Sequence, residues 1–169
     1  MGDDGFARRS RRLLEEARYL TLATVSTDGR PWSAVLQYAW LPDPLRFLFG
    51  SAIQSRHSRD IATRPRISGS LFVAGDSLMD VDGAQFSGTC QELSTEDVER
   101  YHATFYDALF PDAQDRAEWT LPQSELLPPA EHRLYLIEVD DWWLIDTRTW
   151  AEDRIDRRVQ VPLAELSHA

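Results

Sequence analysis

Cysteine is nearly missing. Among 169 residues only Cys90 is present, so no internal disulfide can form and a reducing cytoplasm is the expected setting. Positive charge is in deficit too. Eighteen basic residues against 28 acidic ones leave a net charge of −10, which argues against nucleic-acid binding and against docking on an anionic membrane. No apolar run approaches membrane-spanning length, and the charged start (Asp3, Asp4, Arg8, Arg9, Arg11, Arg12) precedes no signal-peptide core. Met1-Gly2 opens like a myristoylation signal, but Phe6 stands where Ser or Thr is needed. A Rossmann fingerprint, a Walker loop, a nucleophile elbow, an internal repeat and an interdomain linker are all missing. A hydrophobic fraction of 43% and a charged fraction of 27% then fit one globular domain, residues 1–169, long enough to bury a core. Six tryptophans leave some for stacking on a planar ligand.

The histidines His57, His102, His132 and His168 are scattered, with no pair at ligand spacing to Cys90, so no metal site is expected. His102 lies on an apolar helix face and reads as a satisfied core residue. Asp76, Asp80, Asp82 and Gly83 resemble a calcium loop only faintly, lacking its alternate-position oxygens and closing glutamate, and read as a solvated turn. His57, Ser58 and Asp60 are sequence neighbours, which does not make a spatial triad.

What is present is a succession of short strands. Leu13, Leu14 and Ala17 at helical spacing predict an amphipathic helix over 7–18. Tyr19–Val25 alternates apolar residues with threonine, Asp28-Gly29 supplies a hairpin turn, and 31–40 is the return strand. Its residues Trp32, Ala34, Leu36, Tyr38 and Trp40 share one face. Leu41-Pro42-Asp43-Pro44 turns the chain into an apolar strand ending at Phe49. Strands follow over 67–73, before a turn at Ala74-Gly75-Asp76, and over 84–93. Ser94-Thr95-Glu96-Asp97 then starts a helix along Val98, Tyr101, His102, Phe105 and Leu109. Residues 111–131, with four prolines, predict a long loop or a lid with short turns. Residues 134–139 and 142–145 make a sixth strand or a bent pair, and 159–161 could add a short strand. The pattern predicts a mainly β, α+β fold: a six-stranded antiparallel split β-barrel with peripheral helices.

The most informative stretch is the short helix that follows Phe49. Ser55 is a good N-cap, and Pro65 ends the helix near Arg64. Arg56 and His57 in its first turn oppose the helix dipole. An anion on that N-terminus would reverse the sign, so Ser55, Arg56 and His57 predict a phosphate site. The alternative is an exposed helix with a basic start.

Strand, Asp-Gly turn, strand, turn, strand, then Ser55-Arg56-His57 opening a helix that ends Thr63-Arg64-Pro65-Arg66-Ile67, resembles the pyridoxamine 5′-phosphate oxidase-like family of FMN-binding split barrels. Ala84-Gln85-Phe86-Ser87-Gly88 is also similar to that family's next strand, and the resemblance covers roughly residues 10 to 110. It implies an FMN in a cleft between the subunits of a homodimer. The phosphate would lie on Ser55, Arg56 and His57, and the ring along Val35, Leu36, Gln37 and Tyr38. Gly50 and Ser51 would be near the ribityl chain, and Gln85 would be a ring or ribityl contact. Trp150 or Trp143 could wall the ring or simply pack in the core. His57 stands where the family commonly has lysine, and the tail Val161–Ala169 lacks the family's Arg-x-His and Arg-Leu-x-x-Pro substrate motifs. The resemblance therefore implies an FMN-dependent oxidoreductase acting on a small molecule other than vitamin B6, with no catalytic residue assignable. A deazaflavin-dependent reductase, or a non-catalytic flavin- or haem-binding module, is the alternative.

Overall fold

A computed structural model describes residues 3–75 and 81–166. Among them are five α-helices and eight strands. The helices are α1 (Asp3–Glu16), α2 (Arg56–Thr63), α3 (Thr95–Leu109), α4 (Ala113–Trp119) and α5 (Thr147–Asp153). The strands are β1 (Tyr19–Val25), β2 (Pro31–Gln37), β3 (Ala39–Leu41), β4 (Arg46–Ala52), β5 (Arg66–Ala74), β6 (Val81–Glu92), β7 (His132–Ile145) and β8 (Arg158–Gln160). All pairings are antiparallel, in the order β2-β1-β5-β6-β7-β4-β3, with β8 beside β7.

The two strands beyond the expected six have simple origins. The return strand is broken at Tyr38, so its first half, β2, pairs with β1 and its second half, β3, pairs with β4. That one segment closes the sheet into a barrel, because it is the neighbour of both ends of the ladder. The short tail strand β8 is the other addition. Residues 132–145 form one continuous strand. It pairs with β4 over residues 132–138 and with β6 over residues 135–144, and Asp140 is the extra residue of a bulge where the register shifts beside Ser87 and Gly88. Gly88 is required there, since a Cβ would meet the Glu138 carbonyl oxygen at 2.2 Å. In the β1–β2 turn only Gly29 takes a positive φ (83°), fewer than the two such residues of a tight Asp-Gly hairpin.

The alternation read from the sequence sorts the side chains into layers. Leu20, Leu22, Phe47, Phe49, Leu71, Phe86, Ile137 and Trp142 fill the barrel. Leu48, Leu134 and Leu136 point the other way and form a second core with Val98, Phe105 and Tyr106 of α3. Helix α1 docks through Ala7, Ser10, Leu13 and Leu14, and the buried Ser10 hydroxyl accepts the indole N–H of Trp142 at 2.9 Å. Asp82 accepts from Nε and Nη2 of Arg9, at 3.0 and 2.6 Å. Asp76 and Asp80 of the acidic group, the turn at Asp76, the start Met1-Gly2 and His168 lie outside the described residues.

Residues 111–131 contain a short 3-10 turn, Gln123–Leu126, as expected, and also the helix α4, which was not. Asp112 caps α4 by accepting from the amides of Gln114 and Asp115, a signal legible in the sequence but outweighed there by the prolines.

Candidate functional site

Helix α2 covers one end of the barrel. Ser55 caps it, its side-chain oxygen accepting from the Ser58 amide at 3.3 Å. Three further groups gather on that oxygen. Ser55 Oγ donates to Ser58 Oγ at 2.8 Å and lies 3.0 Å from His57 Nε2 and 3.1 Å from Ser51 Oγ. Ser51 Oγ in turn lies 2.7 Å from His57 Nε2. Both hydroxyls thus face the Nε2 edge of His57, which donates to them or accepts from them according to its tautomer. His57 is buried, and burial holds its pKa below the ordinary histidine value, with the Asp60 carboxylate opposing the shift. The first-turn amides of Arg56 and His57 have no intrahelical partner, as at any helix start.

Arg56 is not a free arm. Its guanidinium carbon lies 4.8 Å from the centre of the Trp32 ring, and Nε is 4.0 Å from the buried Asp60 carboxylate. Asp60 also accepts the Thr24 hydroxyl at 2.8 Å, and Thr24 and Trp32 are directly paired across β1 and β2. This cluster fixes the cation at the rim of the helix start.

Beside the helix start lies a cavity of about 510 Å3, within the usual range for small-ligand sites. It fills the split in the barrel: β3 pairs with β4 only over Arg46–Leu48, so Gly50–Ala52 of β4 faces β2 without a ladder between them. Val35, Leu36, Gln37, Gly50 and Ser51 line it. Its far wall comes from α3 and the segment after it, with Phe105, Tyr106, Phe110, Trp119 and Leu121. The two polar residues His132 and Arg133 line it from β7. Ser51 belongs both to this lining and to the hydroxyl–imidazole cluster, and so joins the cavity to the α2 N-terminus.

The other sequence candidates lie elsewhere. Tyr38 turns inward, donates its hydroxyl to the Ala17 carbonyl at 2.9 Å and packs edge-on against Phe47. Gln85 is on the outer face of the sheet, where its side-chain oxygen accepts from Arg158 Nε at 2.7 Å. Trp150 is on α5 beneath the Arg154 guanidinium, at 4.6 Å, and does not line the cavity. Trp143 is on the outer face, paired with Gln85. His102 is half-buried and bound to the Leu121 carbonyl at 2.7 Å, a structural partner. Among the described residues no group of three His, Cys, Asp or Glu side chains is placed to hold a metal ion.

The sequence reading missed Arg133, Trp32 and Asp60 as site residues. A basic residue at the head of an apolar strand (Leu134–Val139) was the available signal for Arg133; Asp60 could be seen as four residues after Arg56, one helical turn away.

A closed antiparallel barrel split beside a capped helix N-terminus is the architecture of the FMN-binding split barrels. The family model described as pyridoxamine 5′-phosphate oxidase matches residues 6–144, and the chain belongs to that family. A curated UPF0306 protein of Pasteurella multocida is 22% identical over 88 residues, 52% of this chain and 59% of that protein. A haem binding protein from Mycobacterium smegmatis has a similar structure at 15% identity, with a TM-score of 0.70. The match covers 95% of this chain and 59% of that one. A pyridoxamine 5′-phosphate oxidase-related, FMN binding protein from Nostoc punctiforme is similar with a TM-score of 0.60, at 17% identity over 94% of this chain and 87% of that one. The two structures share this chain's fold. The chain spans 59% of the length of both the Pasteurella protein and the mycobacterial one.

Proposed function

We propose that this protein binds FMN in the split of its barrel and acts as an FMN-dependent oxidoreductase on a small molecule. One observation carries the reading: through Ser51, a cluster of hydroxyl and imidazole donors at an open helix start is continuous with an aromatic-walled cavity. The chemistry of the donors fits a phosphomonoester. Two hydroxyls, the Nε2 edge of His57 and the first-turn amides can all turn to an anion, with Arg56 beside them. The lining of Val35, Leu36 and Gln37 on one side and Phe105, Tyr106 and Trp119 on the other suits a flat ring system.

When bound, the flavin would supply the redox chemistry. The protein's own part is to anchor the phosphate at α2, to hold the ring against β2 and to exclude water with the α3–α4 wall. Among the described residues that line the cavity none is an acid, so the reading gives substrate no carboxylate partner.

The homodimer belongs to this proposal on new grounds. Tyr38 and Phe86 are taken up by the barrel core and leave no apolar surface for a partner. The outer sheet face supplies the surface instead. Val35, Thr21, Ser70, Gln85, Trp143 and Gln160 form one line across six strands, without a charged side chain, and Val35 is 69% exposed. Tyr19 and Phe72 are also exposed on the neighbouring strands β1 and β5. Val35 and Gln85 are three strand spacings apart, about 14 Å, so a ring lying on Val35 would meet a Gln85 only from a second copy.

The absorption spectrum of the purified protein and titration with FMN, riboflavin and haem test the reading. The expected result is tight FMN binding, weaker riboflavin binding, and bleaching of the bound flavin under anaerobic reduction. The haem reading has His132 in the cavity lining on its side. A Soret band that His132→Ala abolishes, with no flavin uptake, would replace the flavin proposal; a deazaflavin would be recognised by its own spectrum.

A further inference from the structure

The fold takes one arginine almost wholly out of water: the Arg133 side chain is 7% exposed. Buried arginines are uncommon and are normally paired in full. Here Nε donates to Glu92 Oε1 at 2.8 Å, and Nη1 donates to the carbonyls of Ala130 and His132 at 2.7 and 2.6 Å. Nη2 makes no hydrogen bond among the described residues, although it carries two protons of a rigid donor fork. The balancing charge is weakly held, since the Glu92 side chain is 47% exposed and shares its charge with solvent.

Register decides what that unused edge can meet. Arg133 is directly paired with Ser51 across β4 and β7. Directly opposed residues of an antiparallel ladder project from the same face, with Cβ atoms about 4.5–5.5 Å apart. Ser51 carries the hydroxyl 2.7 Å from His57 Nε2, and Ser51 and Arg133 both line the cavity. The arginine thus stands across one ladder rung from the anion cluster, on a different element from α2.

We propose that Arg133 is a second cationic group of the phosphate site, its Nη2 meeting the phosphoryl oxygens of the ligand while Glu92 holds Nε and the two carbonyls hold Nη1. This deepens the flavin reading and rests on it. It also gives the site a positive charge that does not depend on pH as that of His57 does, and it favours a phosphomonoester over the uncharged ribityl alcohol.

The test compares dissociation constants for FMN and riboflavin, read from quenching of flavin fluorescence, in wild type, Arg133→Gln, Arg133→Lys and Glu92→Gln. Arg133→Gln should weaken FMN about 10- to 100-fold and leave riboflavin unchanged, the scale of one charge-assisted contact. Arg133→Lys should recover part of the loss, because it keeps charge without the fork. Glu92→Gln should tighten FMN alone, by removing a competing anion. Equal weakening of FMN and riboflavin in Arg133→Gln would make the residue structural and overturn the proposal. Should Arg133→Gln fail to fold, Glu92→Gln decides, and an unchanged ratio of the two affinities in that variant overturns it. Wild type that prefers FMN, with the preference intact in Arg133→Gln, sinks this inference alone. Wild type with no preference sinks the phosphate reading as well.

Discussion

Ser51 Oγ and His57 Nε2 lie 2.7 Å apart, joining a barrel strand to the first turn of the helix that covers it. The contact fixes a buried imidazole whose pKa is lowered by burial, and it sets the pH behaviour of the site.

In the empty protein, the unfolded chain protonates His57 at a higher pH than the folded chain does. The stability contributed by neutral His57 is complete above the unfolded value of about 6.5 and declines as pH falls below it toward the lower folded value. A phosphate dianion acts in the opposite sense and raises that pKa, so binding takes up a proton. FMN affinity should weaken as pH rises above about 7, where the phosphate is already dianionic. His57→Gln should flatten the profile in that range. Fluorescence titrations at several pH values check it, and a slope unchanged in His57→Gln would remove His57 from the site.

Arg56→Ala should weaken FMN roughly 10- to 150-fold, the equivalent of about 1.5–3 kcal/mol for a charge-assisted contact. Because Arg56 is packed on Trp32 near Asp60, the variant should also lose about 0.5–1 kcal/mol of stability, which a bare first-turn arginine would not contribute. Arg59→Ala, exposed further along α2, should change neither quantity. Denaturant melts and flavin titration of the two variants separate these outcomes.

Ser10→Ala tests the opposite end of the barrel. It leaves the Trp142 indole N–H buried without an acceptor, at an expected cost of about 1–3 kcal/mol. Trp142 is ten residues along β7 from His132, so FMN affinity should not follow stability down. Urea unfolding measures the first quantity, flavin titration the second.

Thr21→Arg places a charge in the uncharged line on the outer sheet face, beside Val35. Light scattering should show a dimer for wild type and a monomer for the variant, with cofactor affinity reduced in parallel. A cofactor-loaded wild-type monomer at micromolar concentration would end the dimer proposal.

The strands were legible because their alternation is strict: Leu20 and Leu22 against Thr21 and Ala23 leave one choice of inward face. The Ser55 and Ser94 caps were equally clear, since each accepts from the amide three residues on, as its position in the sequence implies. The break at Tyr38 was hidden because residues 32–40 keep their period through it; only the partner strand changes, and pairing partners are a tertiary choice. The cavity's far wall was hidden for a similar reason. Phe105 and Leu109 show a helix face, but nothing local says that this face packs on one part of the sheet and walls a cavity beside it. Arg133 became visible only with the register that sets it across from Ser51.

The split has a consequence for how the molecule moves. Over Pro31–Gln37 one edge of β2 carries backbone groups that no strand binds among the described residues, and Gly50–Ala52 of β4 presents a similar edge opposite. The barrel is therefore a hoop with a gap, held shut there by side chains and by the helix lying over it. An occupant wedged into the gap would act as the missing rung. Amide exchange along β2 and at Gly50 should be fast in the empty protein and slow with ligand, while the continuous β5–β6–β7 ladder stays protected in both states.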